Sequence, residues 1–257
     1  MRRLLSRSPS LRSSLARLSV HYSHRPISSN ALVETSERLL NAWQSDAIPV
    51  RQRQLVEEEL AAYRRGQAIQ VFDALVDILK HNVTHLEGRT LLEVGCSSGY
   101  YSEVLRCRGI DIRYHGCDYS AAFIKMAREL YGPGVFDVED ATRLSYPSGA
   151  FDILISGCCL LHIPEYDRAI SEAVRVAKTF VVFHRTPVLH LSGPAFYTKT
   201  AYGEQVLEIH FNEQQLVRMF HQNGLQVIDV NTHVSTAEHG RTEPLFYKTY
   251  LCRKTAS

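Results

Sequence analysis

Apolar residues along this chain change their spacing part-way. From about Glu34 to Lys80 they recur at helical intervals. Residues 52–65 are rich in Gln, Arg, Glu, Leu and Ala, and after Gly66 the positions Ile69, Phe72, Leu75, Val76 and Leu79 share one face. Pro49 sets off an earlier short helix at 36–43. From Arg89 onward, short apolar runs alternate with amphipathic stretches. Strands are expected at 90–94, 112–117, 135–138, 151–156 and 180–184. Between them lie helices at 100–108, after a Ser120 cap, and at 165–177 behind Pro164. Asn212 with Gln215 forms a capping pair for a further helix that ends at Asn223–Gly224, and strands at 225–230 and 245–252 close the chain.

Strict alternation of strand and helix implies a parallel sheet covered on both faces. The runs ILIS and FVVF are apolar at consecutive positions, as doubly covered strands require. The connection between the last two strands, 231–244, is too short for a helical crossover, so those strands should pair antiparallel. The expected fold is α/β: a doubly wound seven-stranded sheet, mostly parallel with an antiparallel C-terminal strand, plus N-terminal helices. Such a sheet binds ligands beyond the carboxyl ends of its strands. The chain divides into a leader at 1–33, a helical lid segment at 34–88 and a main domain at 89–257.

Composition modifies this picture at one end. A chain of 257 residues with 45% hydrophobic content can bury a full core, and no apolar run approaches the ~20 residues that span a bilayer. Six of the 29 lysines and arginines are arginines within residues 1–33, a stretch with nine serines and no acid or lysine. The remaining 23 basic and 27 acidic residues leave a net charge of −4, which does not suit a general nucleic-acid binder. Leu4, Leu11, Leu15 and Leu18 can form one helical stripe among those arginines. This is the pattern of a mitochondrial transit peptide, cleaved between about Ser19 and Ala31, with a matrix location expected and the cytoplasm as the alternative. The six cysteines include no C-x-x-C pair and read as buried thiols, so no metal ligands are expected.

Three stretches carry candidate chemistry: EVGCSSG (Glu93 to Gly99), GCDYS with Asp118, and EDATRLSYPSGAFDILISGCCLLH from Glu139 to His162. Gly95 and Gly99 permit positive φ and close backbone approach, and a helix opening near Gly99 points N–H groups at an anion. Asp118 lies 25 residues past Glu93 at a strand end, where a carboxylate can accept from ribose hydroxyls. A G-x-G-x-x-G, which a nicotinamide dinucleotide would call for, is missing.

In these elements the chain resembles the class I S-adenosylmethionine (SAM) dependent methyltransferases, in particular those acting on small molecules, from about Arg89 to the C-terminus. The resemblance implies a Rossmann-like fold and SAM as cofactor. It places SAM on Glu93, Gly95, Cys96, Ser97 and Gly99 of the first turn, with Asp118 and Tyr119 at the ribose. Asp140 and Ala141 would meet the adenine, and Ser156, Gly157 and Cys158 the methionine ammonium. Ser97 stands where the family has its middle glycine.

Methyl transfer requires mainly that the acceptor be held about 3–3.5 Å from the methyl carbon and in line with the sulfur. His162 is the first candidate base, since a histidine pKa near 6.5 suits proton removal; packing is the competing role. His184 and Arg185 are further candidates for orienting an acceptor, Arg185 through a carboxylate or phosphate or else as the partner of an internal acid. The segment RTPVLHLSGPAFYTKTAYGEQVLEIHF is expected to form a lid hinged at Gly193–Pro194, roofing Tyr100 and Tyr101 together with the N-terminal helices. A small organic acceptor follows, methylated at O, N or C. The alternatives are a protein or RNA acceptor, or a non-catalytic SAM-binding mitochondrial assembly factor.

Overall fold

The computed structural model describes residues 24–234 and 243–255. Its elements run β1 (His24–Pro26), α1 (Leu32–Asn41), α2 (Ala47–Arg64), α3 (Gln70–Asn82), β2 (Thr90–Val94), α4 (Tyr101–Cys107), β3 (Arg113–Asp118), α5 (Ala121–Tyr131) and β4 (Phe136–Val138). They continue with β5 (Phe151–Gly157), α6 (Tyr166–Val176), β6 (Ala177–Leu189), β7 (Ala195–Ala201), β8 (Glu204–Asn212), α7 (Glu213–Gln222), β9 (Leu225–Val234) and β10 (Phe246–Lys254). Most of the leader, residues 1–23, lies outside the described residues.

Seven strands form the central sheet in the order β4-β3-β2-β5-β6-β10-β9, with β10 antiparallel to both neighbours. This is the expected doubly wound sheet. Its central strands carry apolar residues at consecutive positions because alternate side chains enter two different cores. Leu91, Ile153, Ile155, Val182 and Leu251 pack against α2, α3 and α4. Leu92, Leu154, Val181, Phe183 and Tyr250 pack against α6 and α7. Asn212 caps α7 as anticipated, its side chain accepting the Gln215 N–H at 3.0 Å.

Three further strands stand where none was expected, two of them within the segment read as a lid after the fifth strand. β6 runs on to Leu189, and β7 and β8 form an antiparallel hairpin to which β1 adds an edge. The hairpin turn is Tyr202–Gly203, with φ of 52° and 80° at its two residues, the left-handed pair that a two-residue turn needs to match strand twist. Val188 and Leu189 of β6 pair with Phe211 and Asn212 of β8, beyond the point where β5 has ended. The extra sheet therefore rises from the carboxyl edge of the central one.

Candidate active site

Strand order reverses between β2 and β5, and their carboxyl ends open onto a cavity of about 730 Å³. The turn after β2 forms its floor. Gly95 and Gly99 have φ of 73° and 76°, and a Cβ at either position would collide, with Cys159 or with the Phe136 ring respectively. Ser97, in place of the family's middle glycine, takes the glycine conformation at φ 49°, at a cost of roughly 1–2 kcal/mol. The Ser97 N–H donates to Asp118 Oδ2 at 2.8 Å, and the Ser120 N–H donates to Oδ1 at 2.9 Å. These bonds clamp the ends of β2 and β3 together. Burial raises the Asp118 carboxyl to about 6, against the pull of the two N–H donors. A carboxylate has about four acceptor positions, so each oxygen retains capacity for a ligand hydroxyl.

The expected cofactor residues fall into two groups. Gly95, Ser97, Asp118, Tyr119, Asp140, Ala141, Gly157 and Cys158 line the cavity, whereas Glu93, Cys96, Gly99 and Ser156 stand behind its surface. Glu93 accepts from the Tyr114 hydroxyl and packs where a Cβ on Gly157 would lie. Burial pushes its carboxyl up to about 8; the Tyr114 hydrogen bond opposes this and the Asp118 charge adds to it. Glu93 thus supports the β2 and β5 ends from beneath. Cys96 is fully buried against Ile124, Ala127 and Phe136. Asp140 Oδ1 accepts from the Thr142 N–H and hydroxyl, both at 2.8 Å.

The catalytic candidates separate more sharply. The pairing of β6 with β10 shifts register between Phe183 and Thr186, where Thr249 alone faces both His184 and Arg185. This bulge re-aims successive side chains. His184 turns inward: its Nε2 meets the Tyr101 hydroxyl at 2.7 Å, its Nδ1 meets the Thr249 hydroxyl at 2.9 Å, and it is 1% exposed. His184, expected to orient an acceptor, is placed behind the cavity wall as a buried bridge between α4 and β10. Arg185, at φ 56°, lines the cavity, as does Cys158 at the same φ on the adjacent strand end. Tyr100 lines the cavity with them, while Tyr101 is buried against His184.

His162 ends a 3₁₀ turn, Leu160–His162, and reaches the cavity wall. Its Nδ1 donates to the Leu207 carbonyl at 2.5 Å, which leaves the lone pair on Nε2, and its ring lies 4.7 Å from Trp43. Burial lowers its pKa to about 4, only partly offset by the Leu207 carbonyl. His162 is therefore neutral at physiological pH and a weak base. Its partners Trp43 and Leu207 carry no local sequence signal linking them to it. Ser36 Oγ, Trp43 Nε1 and Gln52 Oε1, all from cavity-lining residues of the N-terminal segment, have no hydrogen-bond partner among the described residues. Groups of this kind in a cavity wall commonly face a ligand or water.

A second constellation had no sequence signal. His24, Glu208 and His210 converge, with ligand atoms within 4.8 Å of one another. His24 comes from β1, and Glu208 and His210 stand two residues apart on β8, so two stretches of chain supply a donor set that could hold a metal, where none had been expected. The Lys199 ammonium and, at 3.3 Å, the Tyr247 hydroxyl bind the same carboxylate, which is held well below its usual range; the cluster is occupied as an ion-pair network.

A family profile described as a methyltransferase domain matches residues 92–182. Residues 92–182 are thus similar to a methyltransferase domain. The chain is 34% identical over 95 residues to ajmaline N-methyltransferase of Rauvolfia serpentina, covering 35% of this chain and 32% of that protein. It is 36% identical over 94 residues to 2-methyl-6-phytyl-1,4-hydroquinone methyltransferase of Synechocystis, covering 35% and 29%. The chain thus spans about a third of the length of the curated relatives it matches. Among solved structures, the 1,6-didemethyltoxoflavin-N1-methyltransferase of Burkholderia thailandensis, with 1,6-didemethyltoxoflavin and S-adenosylhomocysteine bound, superposes with a TM-score of 0.59 at 15% identity, covering 93% of this chain and 98% of that one. The [4+2]-cyclase SpnF superposes at 0.55 with 22% identity, covering 72% and 82%. At these identities the likeness of a methyltransferase and a cyclase to the same chain speaks to fold alone.

Proposed function

We propose that the protein transfers a methyl group from SAM to a small organic acceptor. One observation carries this reading. The clamped Asp118 carboxylate and the wall formed by Trp43, Tyr100, His162 and Arg185 face a single cavity of about 730 Å³. The residues present fit SAM. Asp118 offers acceptors for vicinal ribose hydroxyls and Asp140 an acceptor at the adenine end, while Gly95 and Gly157 let Cys159 and Glu93 pack closely against the strand ends that carry the site. When bound, SAM supplies a methyl group already activated on a sulfonium.

The residues then have three tasks. The N-terminal helices and Trp43 cover the cavity and exclude water. Tyr100 and Arg185 orient the acceptor beside Cys158. His162 Nε2 can take a proton from the acceptor, and its low basicity restricts that role to acidic O–H or N–H groups; most of the rate then comes from alignment. Ajmaline, the phytyl hydroquinone and didemethyltoxoflavin, named for the similar proteins, are likewise small organic molecules. A roofed cavity accommodates these more readily than a folded protein or an RNA. The arginine- and serine-rich leader supports mitochondrial import as part of the same proposal. The test is incubation of the protein with methyl-deuterated SAM and an organelle extract. A small-molecule product carrying the mass shift is expected, whereas SAM binding without any labelled product would favour the assembly-factor reading.

A further inference from the structure

The chemistry around Arg185 narrows the acceptor, given the methyl-transfer reading above. We propose that the acceptor carries a carboxylate on a flat apolar body and that this carboxylate seats on the Arg185 guanidinium. Four observations meet here. The guanidinium makes no hydrogen bond or ion pair among the described residues; only its backbone N–H is engaged, with Thr249 Oγ1 at 3.5 Å. The cavity's other cation, Lys199, is already bound to Glu208. Arg185 is aimed into the cavity by a bulge and a left-handed backbone, a conformation that persists only where surrounding structure enforces it.

The fourth observation is the company it keeps. Tyr100, Tyr202 and Cys158 lie around it on the cavity wall, and burial holds Tyr100 well above the usual phenol range, so that hydroxyl remains a donor. Glu59 of α2 lines the same cavity without closing an ion pair among the described residues; burial raises its carboxyl, against the opposing field of Arg185. A cation removed from bulk water without a paired anion is poorly compensated. A planar guanidinium binds a carboxylate through two parallel bonds, and neutral phenols beside it can add donors. The tilted Trp43–His162 pair, together with Leu55 and Val56, supplies apolar surface for the remainder of the molecule.

The methionine carboxylate of SAM is the other possible source of such an anion, and the test separates the two. Trp43 is the single tryptophan of the chain and stands in the cavity wall, so its fluorescence reports occupancy. Protein saturated with S-adenosylhomocysteine is titrated with benzoate and with benzamide, a neutral molecule of nearly the same shape. Benzoate should bind about tenfold or more tightly than benzamide. Arg185→Met should abolish the difference without changing benzamide affinity, Arg185→Lys should retain part of it, and Glu59→Gln should widen it. Thermal melts establish that each variant is folded. Equal affinities for the two probes in the wild type, or a preference that survives Arg185→Met, would overturn the proposal. Tenfold weaker S-adenosylhomocysteine binding in Arg185→Met would overturn it also, by assigning the arginine to the cofactor. Should the wild type not bind S-adenosylhomocysteine, the methyl-transfer reading fails, and the same titration of the unliganded protein still decides whether Arg185 is a carboxylate anchor.

Discussion

Replacement of Asp118 by Asn tests the site at its hinge. Each carboxylate oxygen accepts one backbone N–H, from Ser97 at 2.8 Å and Ser120 at 2.9 Å. An amide presents one oxygen and one NH₂, so one of those N–H groups must then face another donor. A hydrogen bond to a charged group contributes about 1.5–3 kcal/mol. Losing one in the turn and one to a ribose hydroxyl amounts to about 3–6 kcal/mol, of which the ribose bond, about 1.5–3 kcal/mol or roughly ten- to a hundredfold, falls directly on Kd. The assay is isothermal titration with S-adenosylhomocysteine between pH 5 and 7. Because the folded carboxyl sits at about 6, a ligand that requires it ionised binds about tenfold more weakly at pH 5 than on the plateau above pH 7. Asp118→Asn should be both weak and flat across this range. A wild-type affinity independent of pH, or a variant within threefold of wild type, would refute the assignment of Asp118 to the ribose.

Other outcomes follow from the packing. His184→Phe removes the Tyr101–His184–Thr249 bridge and should lower unfolding free energy in urea by about 2–4 kcal/mol, while S-adenosylhomocysteine affinity stays within threefold; a large affinity loss with unchanged stability would restore His184 to the site. Burial holds His162 at about 4 in the fold, below its unfolded value near 6.5, so stability is lost as pH falls through that window because the unfolded chain takes up the proton first. The wild-type minus His162→Phe difference in unfolding free energy isolates this contribution from that of Asp118, which has the opposite sign, and a difference constant from pH 7 to 4 would contradict the buried neutral imidazole. A chain beginning at Glu34 loses β1 and the His24–Glu208 contact and should be less stable by about 1–3 kcal/mol, and equal melting would show that β1 contributes nothing.

The central sheet was readable because its strands are apolar runs whose two faces are both covered, and because the closing connection was too short for a crossover. The first turn and Asp118 were readable for a similar reason, since residue type and local backbone are coupled there. The hairpin β7–β8 was not. Its turn uses tyrosine at a left-handed position where asparagine is the usual signal, and its strands mix aromatic, charged and apolar residues that also suit a lid. The opposite fates of His184 and Arg185 depend on a bulge whose cause, Thr249, is some 64 residues away. The His162 tautomer is likewise decided by a carbonyl from β8, 45 residues on. Short-range spacing also carried no hint of His24 meeting Glu208 across 184 residues.

The division of labour within the cavity has an evolutionary consequence. The donor compartment comes from one continuous stretch, the β2 turn through the 3₁₀ segment at His162. The opposing compartment is assembled from α1, α2, the β6 extension and the hairpin that follows it. If the protein is the methyltransferase proposed above, substitutions in these peripheral pieces retune which acceptor is taken while the stretch assigned to the nucleoside drifts hardly at all. Paralogues of this chain should accordingly diverge fastest around Trp43 and Tyr202.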